Sequence, residues 1–134
     1  MTLRISLRDG EKMIINGAVL RAVGRTDVVV ENQAAIMRGR EIMSPDEATT
    51  PARRLYSATM MAYIDDDGQN THQDRIVTLL SDLMAAFEAE DAKLVCIRFA
   101  NRVATADLYR ALADCRELIG YETEALARLE PRAA

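Results

Sequence analysis

At 134 residues, with 49% hydrophobic and 28% charged side chains, the chain has the size and balance of one compact globular domain able to bury a core. Its net charge of −4 argues against a protein that coats nucleic acid indiscriminately. No apolar run approaches the ~20 residues that a membrane-spanning helix needs, and Met1-Thr2-Leu3-Arg4 lacks the order of a signal peptide, so a cytoplasmic protein is expected.

Taken in order, Leu3, Ile5 and Leu7 alternate with Arg4, Ser6 and Arg8. That alternation predicts a strand with one apolar face and an opposite face carrying two arginines. Asp9-Gly10 makes a turn, Met13 to Ile15 a second β run, and Asn16-Gly17 is the pair that best suits a tight hairpin turn before Ala18 to Val23. After a turn at Gly24 to Asp27, Val28-Val29-Val30 is expected as a strand paired with the run near Ala35 to Met37. Gly39 breaks that run, Ile42-Met43 is expected to add a short edge segment, and Ser44-Pro45-Asp46 ends the β unit.

At Thr49-Thr50-Pro51-Ala52-Arg53-Arg54-Leu55-Tyr56 the apolar spacing changes from alternating to helical. Thr50 can cap a helix, and Pro51 suits its first position. This first helix is expected to reach Tyr63-Ile64 and to stop at Asp65-Asp66-Asp67-Gly68. Ile76, Leu79, Leu80, Leu83 and Phe87 then mark one face of a second helix, and Val95, Phe99 and Val103 a stripe on a third. Thr105 is expected to cap a fourth, with Leu108, Leu112, Cys115 and Ile119 on its apolar edge, and Gly120 either interrupts this helix or merely weakens it. Pro131 to Ala134 are expected to fray. The fold class is therefore α+β: a small antiparallel β meander or half-barrel over residues 1–48, then a bundle of about four helices over 49–130, together forming one domain over 1–134.

Little in this pattern points to catalysis. His72 is the only histidine, no Ser or Cys sits in a nucleophile motif, and the glycines fall in turns and open no helix. The Asp65 loop matches part of a calcium loop, but Tyr63 would fall at its first ligand position and Asp74 at its twelfth, where a bidentate Glu belongs. No enzyme, metal or cofactor is expected. Cys96 and Cys115 have apolar neighbours and are expected to be buried and reduced.

The basic residues are the suggestive feature. Apart from Lys12 and Lys93 they are all arginines, whose planar fork can pair with phosphate or stack on a base. Arg4, Arg8, Lys12, Arg21, Arg25, Arg38 and Arg40 lie on the β unit, and Arg53 and Arg54 at the start of the first helix. These nine are the candidate RNA contacts. The competing reading is a solvated sheet surface on which they pair with Glu11, Asp27, Glu31 and Glu41, and the usual aromatic platform on strands is absent.

Leu3-Arg4-Ile5-Ser6-Leu7, Gly10-Glu11-Lys12, Ile15-Asn16-Gly17-Ala18-Val19, Thr49-Thr50-Pro51-Ala52-Arg53 with Tyr56, and Met60-Met61 with Tyr63 follow one another in this order. Together with Tyr109, Ala111-Leu112 and Leu118-Ile119, they resemble the FlbT family of flagellar biosynthesis regulators over about residues 2 to 124. The resemblance implies a post-transcriptional role, in which association with the leader of flagellin messenger RNA limits translation by promoting decay, with some relatives acting positively. It also implies a partner, the small flagellar regulator FlaF. The front half is similar to the carbon storage regulator proteins that clamp messenger leaders. Two functions are carried forward: an RNA-binding regulator using the arginines, and an adaptor that binds FlaF or flagellin at a helical groove near Met60, Met61 and Tyr63 without touching RNA.

Overall fold

The computed structural model describes residues 2–65 and 68–129. Five strands, β1 Leu3–Leu7, β2 Lys12–Ile15, β3 Ala18–Arg21, β4 Thr26–Val30 and β5 Ile36–Arg38, precede four helices, α1 Pro51–Ile64, α2 Gly68–Ala86, α3 Glu90–Ala104 and α4 Leu108–Leu129. This is the α+β order expected. Asp66, Asp67 and the last residues from 130 lie outside the described residues, so the acidic loop and the fraying of Pro131 to Ala134 are not placed.

The strands divide into two small antiparallel sheets, β1-β4 and β3-β2-β5. Asn16 and Gly17, both at positive φ (47° and 86°), close the β2–β3 hairpin in the conformation whose twist suits the strands. A side chain at Gly17 would also stand 3.0 Å from the Ile64 carbonyl. Two expectations are corrected. Val28-Val29-Val30 pairs with β1, not with the following run: Ile5 faces Val28 and Leu3 faces Val30, while β5 pairs with β2. The non-local pairing prevails because it sets the apolar face of β1 beside that of β4. Ile42-Met43 forms no strand. Gly39 enters a left-handed conformation (φ 53°) that coils the chain into a 3-10 turn over Gly39–Glu41, and Ile42 and Met43 then pack against the helices.

The period of two along β2 and β5 feeds two cores. Met13 joins Ile5, Leu7 and Ala22 in a small core between the sheets, with Ile15, Val30 and Ile36 at its margin. Ile14 and Met37 point the other way, into the large helical core. The outward edge of β5 is closed by side chains: the Tyr63 hydroxyl accepts from Ile36 N–H at 3.0 Å and donates to Ile36 C=O at 3.2 Å, and Glu41 accepts from Arg38 N–H at 3.2 Å. Among the described residues β3 has no such cover, and all four of its residues are exposed.

α1 begins as its sequence implies, with the Thr50 hydroxyl accepting from Arg53 N–H at 3.3 Å and Pro51 at the first position. Its remaining orphan N–H at Ala52 meets the buried Glu122 carboxylate of α4 at 2.8 Å, which suits the positive end of the helix. The expected faces of the other helices hold: Ile76, Leu83, Phe87, Val95, Phe99, Val103, Leu108, Leu112 and Cys115 are all buried. Both cysteines are free and buried, and burial pushes both thiol pKa values up. Thr105 is a correction. It closes α3, its hydroxyl donating back to the Asn101 and Arg102 carbonyls. Ala106 then turns at φ 60°, and Asp107 directly precedes α4, its carbonyl accepting from Ala111 N–H at 3.0 Å.

α4 runs unbroken through Gly120, where an added Cβ would meet nothing within 4 Å. Gly120→Ala should therefore stabilise the protein by ~0.5–1 kcal/mol, because it removes backbone freedom from the unfolded chain at no steric cost. Thermal or denaturant unfolding of the two proteins checks this.

α3 and α4 are joined by an ion pair. Arg98 Nε and Arg102 Nη1 each donate to Asp114 Oδ1 at 2.7 Å, and Arg98 also pairs with Glu117. Asp114 is 1% exposed, and its other oxygen, Oδ2, has no hydrogen-bond partner among the described residues.

Candidate nucleic-acid interface

The nine candidate basic residues separate by what surrounds them. Arg4 stands on the outer face of β1 and pairs with Asp27 at 3.6 Å. The Ser6 hydroxyl donates to the same carboxylate at 2.6 Å and, with Arg4 and Arg25 nearby, holds the Asp27 carboxyl below its ordinary pKa. Among the described residues, none of the other eight is in an ion pair. Three of them converge: Arg8 just after β1, Arg25 just before β4 and Arg38 at the end of β5 line one open groove of about 980 Å³ with Ser6, Leu7, Asp9, Gly10 and Glu11.

Local structure ties down the carboxylates around these arginines. Asp9 accepts from Gly24 N–H at 2.7 Å and Glu11 from Arg8 N–H at 3.1 Å, so both groove carboxylates are anchored to main chain. Glu41, another expected partner, is claimed from the helical side. It accepts from the Tyr109 hydroxyl at 2.7 Å and pairs with Arg116 at 3.5 Å, while its carbonyl accepts from the Tyr56 hydroxyl at 2.6 Å. The bond to Glu41 is the main reason that the Tyr109 pKa is pushed up to about 12. Glu31 forms no ion pair among the described residues.

The other basic residues do not join the groove. Arg40 and Arg53 line a smaller hollow of about 260 Å³ together with Arg116 and Tyr56. Lys12 and Arg21 face each other across β2 and β3, and Arg54 is exposed on the first turn of α1. Arg38, however, also lines an adjoining hollow of about 370 Å³ with Arg4, Tyr63 and Tyr109. The rings of Tyr63 and Tyr109 lie 5.7 Å apart, and Tyr109 is 48% exposed. The helices thus bring aromatic surface to the arginines that the strands lack. Arg116 and Tyr109 were not foreseen as site residues. They reach Glu41 from far along the chain, in the case of Tyr109 across 68 residues, so no local pattern signals them.

Of the three candidate partner-binding residues, Met60 is in the helical core, with Sδ 3.4 Å from Met43 N–H. Tyr63 is half-buried and spends its hydroxyl on β5. Met61 is 41% exposed. Among the described residues there is no cluster of three or more His, Cys, Asp or Glu fit to hold a metal, and no helix is long and apolar enough to cross a membrane.

This fold and groove define a small α+β module that presents exposed guanidinium groups from the rim of a β unit braced by helices. A family model described as flagellar protein FlbT matches residues 3–126. The chain belongs to the FlbT family. It is 38% identical over 130 residues to a probable flagellum biosynthesis repressor protein FlbT of Caulobacter sp. strain K31, covering 96% of this chain and 99% of that one. It is 37% identical to the flagellum biosynthesis repressor protein FlbT of Caulobacter vibrioides strain ATCC 19089, covering 96% and 92%. With a probable FlbT repressor of Agrobacterium fabrum the identity is 33%, covering 96% and 87%. No solved structure matches the chain.

Proposed function

We propose that this chain is a cytoplasmic regulator of flagellum biosynthesis that acts after transcription, holding the 5′ leader of flagellin messenger RNA in the Arg8–Arg25–Arg38 groove and controlling its translation and decay. The observation that carries this reading is the groove itself: three arginines, none in an ion pair among the described residues, against the two carboxylates of Asp9 and Glu11, on a chain whose net charge is −4. Such a local excess of guanidinium groups is what a phosphate backbone pairs with. The repressor names of the relatives agree with it.

The test is a binding measurement with purified protein. A complex with flagellin leader RNA is expected at low salt, weakening steeply as salt rises and weaker for an unrelated leader. The absence of any complex at low salt would overturn the reading. The second reading, an adaptor docking a FlaF-like protein on the exposed side of α1 at Met61, would then be favoured by stoichiometric co-purification of that protein without RNA.

A further inference from the structure

The arginine groove also holds two carboxylates, which a surface built only for phosphate would exclude. Neither is used to neutralise an arginine. Asp9 Oδ1 and Glu11 Oε1 are tied to main-chain N–H groups, and no protein hydrogen bond reaches Asp9 Oδ2 or Glu11 Oε2 among the described residues. Glu11 is the better fixed of the two. Its N–H donates to the Arg8 carbonyl at 3.0 Å while its carboxylate accepts from Arg8 N–H, so the turn holds the side chain in place before any ligand arrives. Its Oε2 lies 3.5 Å from where a Cβ of Gly39 would stand, and the half-buried side chain lines the groove together with Arg38.

We infer that this groove reads an unpaired guanine, with Glu11 accepting from the N1–H and N2 amino group of the base and a neighbouring guanidinium donating to its O6 and N7. The inference rests on the RNA reading above and adds the chemistry of selection. Guanine is the one standard base that presents two adjacent N–H donors matching both oxygens of a carboxylate. Uracil presents a single N–H on that edge, and cytosine and adenine an amino group beside an acceptor, which would face the carboxylate with like polarity. The opposite edge of guanine carries the acceptor pair that an arginine fork fits. The arginines not used on the base remain for the flanking phosphates.

The test compares short oligouridines carrying one central guanosine, inosine or adenosine, by fluorescence anisotropy with the full chain. Inosine lacks only the N2 amino group, so its use should cost about tenfold in affinity, and adenosine more. Glu11→Gln should bring the guanosine-to-inosine ratio close to one. Equal binding of the guanosine and inosine oligomers by the unaltered protein overturns the inference and leaves the RNA reading standing. No binding of any oligomer at low salt, with flagellin leader also unbound, overturns the RNA reading. Free GMP that binds as tightly as the oligomer, with the same loss for inosine monophosphate, keeps the guanine site and assigns it to a nucleotide in place of a transcript.

Discussion

Replacing Arg8, Arg25 and Arg38 together by Ala is expected to weaken leader binding about a hundredfold at low salt. Each guanidinium contact contributes ~1 kcal/mol or more, and losing the two that go to phosphates, with the third on the base, should lower the slope of log K against log salt on a single strand by about 1.4. The loss is one of binding and not of folding. All three side chains are exposed and in no ion pair among the described residues, and surface changes of that kind stay within ~0.5 kcal/mol of neutral. Arg4→Ala is the built-in comparison. It shares the outer strand face on which Arg8 was expected, but its charge is already answered by Asp27, so its effect on RNA should be several-fold smaller than that of Arg8→Ala. Equal losses from Arg4→Ala and Arg8→Ala would mean that the outer face of β1, and not the groove, holds the ligand.

The largest effect on folding is expected at Asp114. Its Oδ1 takes both Arg98 and Arg102 in a place with almost no exposure to water. Breaking a buried pair by removing one partner usually costs ~3–5 kcal/mol. Here the arginine side chains are 44% and 32% exposed and recover part of their hydration, so Asp114→Ala should cost ~2–3 kcal/mol. For a chain of this size that is a fall of about 10 °C in Tm. Asp114→Asn keeps the shape and one acceptor and should lose about half as much. Denaturant unfolding with an unchanged m-value would locate the loss in the native state; a Tm within a degree of the unaltered protein would mean that α3 and α4 are held by their apolar stripes alone.

Much of the architecture could be read from local patterns because local physics decides it. Asn16-Gly17 names its own turn, Thr50-Pro51 its own helix start, and the spacing from Ile76 to Phe87 its own buried face. Pairing between distant segments is different in kind. Val28-Val29-Val30 carries no mark of its partner, and only the assembled sheet shows that β1 takes it. The candidate site inherits that limit. Arg4 and Arg8 have the same phase along the chain, yet the β1–β4 pairing gives one a carboxylate and leaves the other at the end of the strand, facing the groove. Met60 and Met61 are neighbours in sequence, but a turn of about 100° per residue puts one in the core and the other on the surface. Thr105 is a good cap by type, and it was the left-handed residue behind it that moved the start of α4.

The two ends of the β3-β2-β5 sheet differ in a way that bears on how the molecule behaves in a crowd. At β5 the Tyr63 hydroxyl both accepts from and donates to the Ile36 peptide unit, doing chemically what an adjoining strand would do, and Glu41 finishes the next N–H along. That end is sealed against strand addition. Any lengthening of this ribbon, whether through a visiting peptide or in misassembly at high concentration, must begin at the opposite margin, where Val19 and Leu20 are bare to solvent. Val19→Lys is therefore expected to blunt that margin, as charged side chains do on edge strands, and light scattering of concentrated protein checks it.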